Sequence, residues 1–151
     1  MLAPLVSTIE VPCGQAQAYD IFVDMGSWWP IDKRSMSLMN EGAPAASLEV
    51  DPRVDGRIVE TSPDGVIYHW GTFRTFDRPT RIEMGFHMGL PAEQASSVEV
   101  VFTPLGDDRT QVVLTQSNWE AFGDLAEMMR GGYGSGWVII FEQADLSACT
   151  P

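Results

Sequence analysis

The chain has 151 residues, and 9 Lys/Arg against 21 Asp/Glu give it a formal net charge of −12 at pH 7. This charge argues against DNA, RNA or an anionic membrane surface as a partner, because each of these requires a cationic face on the protein. The hydrophobic content of 44% argues against a disordered acidic tail, and the length predicts a single domain over residues 1–151.

The N-terminus has no feature of a targeting or membrane-spanning segment. Met1 to Val11 contains no basic residue, and no apolar run of the chain approaches the roughly 18 residues that cross a bilayer. The two cysteines, Cys13 and Cys149, cannot form a disulfide framework or a zinc site by themselves. We therefore expect two reduced thiols in a cytoplasmic protein.

The first third of the chain predicts a strand, a helix and an irregular loop. Leu5–Val11 roughly alternates apolar and polar residues and is rich in β formers, which predicts a strand. From Gln15 to Met25 the apolar residues recur at helical spacing, which predicts a short amphipathic helix. Residues Ile31–Pro44 have no sustained period. We expect them to form, with Trp28–Pro30, a mobile lid over the entrance to a pocket.

Short segments separated by turn residues follow and predict an antiparallel sheet. The predicted strands are Ser47–Asp51, Arg57–Thr61, Val66–Phe76, Thr80–Met88, Ser97–Pro104 and Arg109–Ser117. If the turn at Asp77–Pro79 pairs Phe76 with Thr80, one face of the sheet is large and apolar. The side chains that this register places on that face are Tyr68, Trp70, Thr72, Arg74, Met84, Phe86 and Met88.

The same register places His69 and His87 opposite each other on the other, more polar face. Two histidines do not make a zinc site, which needs three or four protein ligands. We therefore expect two exposed histidines and no metal.

The last third predicts a long C-terminal helix that covers the apolar face. Apolar residues recur at helical spacing over Trp119–Met129 and Trp137–Ala144, and between them Gly131–Gly136 contains four glycines. Each glycine destabilises a helix by about 1 kcal/mol relative to alanine. Either the helix breaks near Gly131, or a neighbour packs too close for side chains. A glycine stripe facing large apolar side chains would also leave space for a cavity.

The glycine-rich stretch lacks the patterns of two common catalytic motifs. Ser135 is flanked by Tyr133 and Trp137 where a nucleophile elbow requires glycines, and the glycine spacing departs from the dinucleotide fingerprint. Glu120 and Asp124 are favoured as helix-capping carboxylates over catalytic ones. The sequence therefore predicts no catalytic residue, metal or cofactor.

The order strand, helix, six-stranded meander and long helix resembles the helix-grip fold of the START-like (SRPBCC) superfamily. More narrowly, the chain is similar to the bacterial single-domain proteins of the heat-shock-protein ATPase activator homologue (AHSA-type) family. The matching motifs are Trp28–Pro30, Pro52-Arg53, Gly56-Arg57, Trp70-Gly71, Asp77–Ile82, Val98–Pro104 and Gly136-Trp137. One departure is Gln116, which stands where many relatives carry histidine. The resemblance implies an α+β fold in which a curved antiparallel sheet wraps around a long C-terminal helix.

The apolar face and the resemblance together predict that a small, largely apolar molecule binds in a cavity between the sheet and the C-terminal helix. The alternatives are an enzyme of cyclase, hydrolase or lyase type using the same cavity, or a chaperone-interacting module. A chaperone partner is not expected without the N-terminal domain of the eukaryotic activator, and the oligomeric state, a homodimer included, stays open. The predicted ligand-binding residues are Trp28, Trp29, Tyr68, Trp70, Arg74, Met84, Phe86, Met88, Gln116, Trp119 and Tyr133.

Overall fold

A computed structural model describes residues 2–150, so the bounds of the predicted domain, residues 1 and 151, lie outside the described residues. Within this range one antiparallel sheet of seven strands curls into a half-barrel, with the strand order β1-β7-β6-β5-β4-β3-β2. The strands are β1 (Leu5–Val11), β2 (Ser47–Val50), β3 (Arg57–Thr61), β4 (Ile67–Asp77), β5 (Arg81–Phe86), β6 (Ser96–Gly106) and β7 (Arg109–Ser117). The predicted α+β helix-grip architecture is confirmed.

The helical elements lie between β1 and β2, between β5 and β6, and after β7. They are α1 (Gln15–Val23), α2 (Met25–Trp28), α3 (Met36–Glu41), a short 3-10 turn (Ala92–Gln94), a longer one (Trp119–Leu125), α4 (Ala126–Trp137), a π-helical segment (Val138–Asp145) and α5 (Leu146–Cys149). The last four elements follow β7 without interruption and supply the predicted C-terminal helix. No helix in residues 2–150 is both long and apolar enough to cross a membrane.

The turn between β4 and β5 differs by one residue from the sequence expectation. Asp77 pairs with Arg81, whereas the expected pair was Phe76 with Thr80. The amide of Thr80 donates a hydrogen bond of 2.7 Å to the carbonyl of Asp77. Asp77 therefore closes the turn, and the connecting loop is residues 78–80.

Two bulges in β4 reverse the expected alternation of its side chains. Trp70 is an extra residue in the pairing of β4 with β3, and Arg74 is an extra residue in the pairing with β5. Between the bulges Phe73 is fully buried, whereas Arg74 is exposed. The prediction that Thr72 and Arg74 lie on the apolar face is therefore wrong, because each bulge adds one residue to one strand and shifts the alternation.

The segment expected to be an irregular, mobile loop contains helix α3. The hydroxyl of Ser35 accepts a hydrogen bond of 3.2 Å from the amide of Leu38, which caps the first turn. Gly42 ends the helix in the left-handed conformation, at φ 73°. The expectation of an irregular segment over residues 31–44 was wrong. Helix α3 has only six residues, which is too short to show an apolar period, and its ends are set by capping residues instead.

The C-terminal helix runs through the glycine-rich stretch without a break. The kink lies earlier, at Gly123, where φ is 59° and ψ is −130°. Gly131 and Gly132 are exposed, and among the described residues no atom outside the adjoining backbone of the helix itself lies within 4 Å of a Cβ added at either position. The expected glycine stripe facing the sheet is therefore wrong for Gly132, although Gly136 is buried.

Candidate ligand-binding site

Seven aromatic side chains meet between the concave face of the sheet and the C-terminal helix. We call this group the aromatic cluster, and it consists of Trp29, Trp70, Phe86, Trp119, Phe122, Tyr133 and Trp137. The sheet supplies two of the rings, the segment after α2 supplies one, and the C-terminal helical elements supply four. Five of the rings belong to predicted ligand-binding residues.

Tyr133, on α4, is the centre of the cluster. Its ring lies nearly parallel to those of Trp137 and Phe122, with centroid distances of 6.2 and 6.3 Å and interplanar angles of 19° and 25°. The rings of Trp119 and Phe86 each lie 5.9 Å from it. Tyr133 thus packs against four aromatic neighbours, and a planar aromatic molecule could stack on these faces only after one of the rings moves.

Trp29 packs into the same cluster from the opposite direction. Its ring centroid lies 4.7 Å from that of Trp70 and 5.9 Å from that of Trp137. Its indole Nε1 donates a 2.9 Å hydrogen bond to the carbonyl of Arg34, which fixes the chain that leads into α3. Trp29 therefore serves as an anchor of this segment inside the core.

Among the five tryptophans of the chain, Trp119 differs in its hydrogen bonding. The indoles of Trp28, Trp29, Trp70 and Trp137 each donate to an oxygen at 2.7–2.9 Å. The buried Nε1 of Trp119 has no partner within residues 2–150. A buried N–H without an acceptor costs about 1–3 kcal/mol, so this group is an unfilled donor in the cluster.

The hydroxyl of Tyr133 is the second buried polar atom of the cluster that has no partner in the described part of the chain. Burial raises the pKa of this phenol. The hydroxyl is therefore neutral over the physiological pH range and remains a hydrogen-bond donor. Two unfilled donors thus lie on neighbouring rings of one aromatic layer.

Gln116 lies beneath the cluster in a hydrogen-bonded chain. Its Oε1 accepts from the indole of Trp137 at 2.8 Å, and its Nε2 donates to Oγ of Ser96 at 2.9 Å. Ser96 in turn donates to the carbonyl of Phe86 at 2.8 Å. An amide at this position supplies both an acceptor and a donor without titrating, so at any pH it holds the indole of Trp137 and, through Ser96, the backbone of Phe86.

Glu60 is a supporting residue that the sequence analysis missed. Its fully buried carboxylate accepts from the indole of Trp70 at 2.8 Å, from the amides of Met36 and Ser37 at 2.8 and 2.6 Å, and from the Ser37 hydroxyl. Because Glu60 follows the inward-facing Ile58 by two residues, strand alternation alone places it in the core. It ties α3 to the sheet and fixes one ring of the cluster.

The other predicted ligand-binding residues lie outside the cluster. The indole of Trp28 donates to the carbonyl of Ile21 at 2.7 Å, and the hydroxyl of Tyr68 donates to a carboxylate oxygen of Glu41 at 2.6 Å. Met84 is fully buried in the sheet, and Met88 follows β5 at a positive φ of 40°. These four stay candidates for a larger, opened site.

Arg74 does not lie with the other predicted residues. Its guanidinium donates to the hydroxyl of Ser97 at 3.1 Å and covers the outer side of Gly85. Ser97 alternates with the buried Ser96 and Val98, so this contact is on the face of the sheet away from the cluster. The bulge at Arg74 is the physical reason.

The expected open pocket bordered by Trp70, Met84, Phe86 and Tyr133 is filled by ring-to-ring contacts. Two open surface clefts lie elsewhere, with volumes of about 400 and about 350 Å³. The larger is lined by α1, α2, β2 and β4, and the smaller by β2, β3 and the loop between them. Neither cleft lies at the position of the expected void, and at that position Trp137 and Tyr133 extend from α4 towards the rings of the sheet.

The two histidines form a contact pair, and the expectation that both are exposed was wrong, because His69 is half-buried and His87 is buried. The rings of His69 and His87 are 4.6 Å apart and nearly perpendicular. His87 is buried in a loop, where its Nδ1 lies 2.7 Å from the carbonyl of Leu90, and burial lowers its pKa. No group of three or more His, Cys, Asp or Glu side chains in the searched residues could hold a metal ion.

Several solved structures share this fold at low sequence identity. CalC from Micromonospora echinospora, a self-sacrificing resistance protein, is 22% identical, with a TM-score of 0.70 over 95% of this chain and 92% of that one. Txn09, an anthrahydroquino-gamma-pyrone synthase, is 24% identical, with a TM-score of 0.62 over 88% of each chain. PFC0360w, an Hsp90 activator from Plasmodium falciparum, is 19% identical, with a TM-score of 0.55 over 90% of this chain and 93% of that one.

No curated protein matches the chain. The family profile described as "Activator of Hsp90 ATPase homolog 1-like protein" matches residues 17–140, which is most of this chain. That range runs from α1 to the π-helical segment and includes every member of the aromatic cluster. The chain therefore belongs to the family of Activator of Hsp90 ATPase homolog 1-like proteins.

Proposed function

We propose that the protein binds a small, largely apolar, planar molecule at the aromatic cluster. The observation that carries this proposal is the pair of buried donors, Trp119 Nε1 and Tyr133 OH, which have no partner in residues 2–150. Native proteins satisfy most buried polar groups, so two unfilled donors on adjacent rings favour a ligand that accepts hydrogen bonds from them. The stacked rings supply the apolar contact.

The chemistry of the cluster favours a neutral ligand with an acceptor oxygen, such as an aromatic ketone. Both unfilled groups are donors, and Tyr133 stays protonated because burial raises its pKa. The exposed Arg74 lies on the other face of the sheet, and the net charge of −12 lowers the concentration of anions near the surface. We therefore expect neutral or cationic apolar molecules to bind better than anionic ones.

A ligand must displace rings to enter, since the cluster is closed. The elements that would move are the C-terminal helix, whose exposed Gly131 and Gly132 weaken it, and the segment that carries Trp29. The Glu60 hydrogen bonds hold that segment through α3, so the helix is the softer side of the site. We assign entry to the helix side.

Ligand binding also accounts for the range of relatives on this fold. Txn09 is a synthase and PFC0360w is an Hsp90 activator, so a cyclase-type enzyme and a chaperone-interacting module stay as alternatives. In an enzyme, Tyr133 would donate its hydrogen bond to a carbonyl whose negative charge grows during reaction. Turnover of the bound ketone would indicate the first alternative, and stimulation of a chaperone ATPase would indicate the second.

The test is a comparison of three matched naphthalenes at low salt. Acetylnaphthalene has an acceptor, ethylnaphthalene lacks it, and naphthoate is an anion of similar shape. We expect acetylnaphthalene to quench tryptophan fluorescence and raise the thermal midpoint most, and naphthoate least. Equal effects of all three, or none, would overturn the proposal.

Tyr133→Phe locates the binding. We expect this variant to bind acetylnaphthalene about tenfold more weakly, which corresponds to one hydrogen bond of about 1.4 kcal/mol. Binding of ethylnaphthalene should not change. Tyr19→Phe is the matched control, since Tyr19 is a buried tyrosine outside the cluster whose hydroxyl donates to the backbone carbonyl of Arg81 at 3.4 Å. An unchanged affinity of Tyr133→Phe for acetylnaphthalene would place the ligand elsewhere.

A further inference from the structure

The two cysteines lie together although they are at opposite ends of the chain. Cys13 follows β1 and precedes α1, and Cys149 is the last residue of α5, which packs against both of these elements. Both thiols are buried in the same hydrophobic core cluster, and each thiol contributes to the pKa of the other. The fold therefore brings these two cysteines from opposite ends of the sequence into one part of the core.

The two sides of this pair differ in how firmly they are held. The carbonyl of Cys13 accepts a 2.8 Å hydrogen bond from the hydroxyl of Thr110 on β7, so this residue is fixed to the sheet. Cys149 lies one residue from the end of the described chain, on a helix of four residues. A single helical turn opens more readily than the sheet, so Cys149 can separate from Cys13 while the rest of the fold persists.

We propose that Cys13 and Cys149 are a dithiol site that peroxide converts to an intramolecular disulfide, fastening the C-terminal helix to the N-terminal strand. One thiolate attacks a peroxide oxygen and becomes a sulfenic acid, with release of water. The second thiolate attacks that sulfur and displaces the hydroxyl as water. Two thiols and one hydrogen peroxide thus give one disulfide and two waters, and peroxide is the species reduced.

Local opening sets the rate of this reaction. Burial raises the pKa of both thiols, and the thiolate is the reacting form. Oxidation in the closed state is therefore slow, and fraying of α5 is the step that admits peroxide. Once the disulfide forms, it joins the two ends of the chain, so the unfolded state loses entropy and the thermal midpoint rises.

The experiment treats the reduced full chain with limiting hydrogen peroxide and maps the digest without reductant. We expect a cross-link between the tryptic peptides 1–33 and 131–151, joint loss of both free thiols, and a higher thermal midpoint that dithiothreitol reverses. Hydrogen exchange of the amides in α5 should slow in the oxidised protein. Sulfinic or sulfonic acids without the cross-link, or a cross-link between two chains, would overturn the proposal.

A matched variant tests the geometry. Ser147 is exposed on the same short helix, so the double variant Cys149→Ser with Ser147→Cys moves the thiol to the solvent side. We expect it to form no cross-link to Cys13 within one chain under the same treatment. Cross-linking as fast as in the wild type would mean that the C-terminus is loose in solution and that no built site exists.

Discussion

At the scale of single residues, two buried acidic side chains differ in how their oxygens are hydrogen-bonded. Glu60 accepts four hydrogen bonds, from two backbone amides, a hydroxyl and an indole. Asp145, in the π-helical segment, is 1% exposed, and its Oδ1 has no partner in the described chain. Burial raises the pKa of Asp145 to about 7. The first group holds the structure together through its hydrogen bonds, whereas burial makes the protonated form of the second group the more stable one in the core below about pH 7.

We predict that Asp145 makes the protein less stable as the pH rises. Its pKa is about 7 in the folded state against 3.8 in the unfolded chain, so the folded state binds the proton more tightly. The resulting stabilisation is complete below about pH 4 and is lost as the pH rises through 7. The Asp145→Asn variant has no carboxyl group at this position and does not lose stability in this way. At pH 8 its free energy of unfolding should therefore be roughly 4 kcal/mol higher than that of the wild type.

Urea unfolding at pH 5 and pH 8 measures this difference. The gap between Asp145→Asn and the wild type should grow from the lower pH to the higher one. Glu142→Gln is the matched control, since Glu142 is exposed on the same segment, and its effect should not depend on pH. A gap that stays constant between the two pH values would contradict the prediction.

We predict that Glu60→Gln destabilises the protein by about 2–3 kcal/mol. The amide group replaces one acceptor oxygen by a donor that faces other donors, either the indole of Trp70 or the amides of α3. Chemical denaturation gives the free energy, and tryptophan fluorescence reports the ring of Trp70. The exposed Glu49 on the neighbouring β2 is the control, and Glu49→Gln should change stability by less than about 0.5 kcal/mol. Equal effects at the two sites would show that the carboxylate of Glu60 is dispensable.

At the scale of elements, the C-terminal helix is held by its contacts more than by its own sequence. Four glycines occupy α4, and a π-helical segment of eight residues follows it. Wider π turns interrupt the regular hydrogen-bond pattern and are frequent at functional sites. The stacking of Tyr133 and Trp137 in the aromatic cluster offsets the poor helix propensity. A helix of this kind can open locally while the sheet stays folded.

We predict that Gly132→Ala stabilises the protein by about 1 kcal/mol, because alanine favours a helix and no described atom obstructs a Cβ there. Ligand entry should slow in the same variant, since the helix opens less often. Gly123→Ala is the contrasting variant. Gly123 has a φ of 59° and a ψ of −130°, so alanine should destabilise by about 1–3 kcal/mol. Thermal unfolding and stopped-flow fluorescence measure the two effects, and a destabilising Gly132→Ala would contradict the prediction.

At the scale of the whole molecule, the negatively charged side chains greatly outnumber the positively charged ones. The ion pairs of the described chain involve four arginines, and their side chains are at least one-third exposed. Arg78 forms the best of them, with two hydrogen bonds of 2.7 and 2.8 Å to the carboxylate of Asp20. Exposed pairs of this kind contribute little to stability, so the net charge of −12 acts mainly as self-repulsion.

We predict that sodium chloride stabilises the protein between low and physiological ionic strength. Screening shortens the range of repulsion among the unpaired carboxylates to about 8 Å at 0.15 M salt. The thermal midpoint should therefore rise with salt, and it should rise less at pH 5, where more carboxyl groups are protonated. Scanning calorimetry across a salt series measures the effect. A midpoint that falls with salt would mean that attractive ion pairs dominate.

The family and much of the fold could be predicted from residue patterns. The predicted bounds of β1, β3 and β7 coincide with those observed, because alternation of side chains and turn residues are local properties. Five members of the aromatic cluster were also predicted, since large apolar residues on the inner face of a strand or helix must pack together. These periodicities gave the order of strands and helices, and the resemblance of that order and of its motifs to a known family implied the α+β helix-grip fold.

Other features depended on the tertiary structure. The bulges at Trp70 and Arg74 arise from the pairing of β4 with two neighbours, which no local pattern specifies, and they moved Arg74 to the other face. Helix α3 is stabilised by the carboxylate of Glu60, which lies more than twenty residues away. The unfilled donors of Trp119 and Tyr133, and the contact of Cys13 with Cys149, depend on partners distant in the chain. Local sterics determined the elements, whereas the hydrogen bonds and contacts of the site were decided by which side chains the fold brought together.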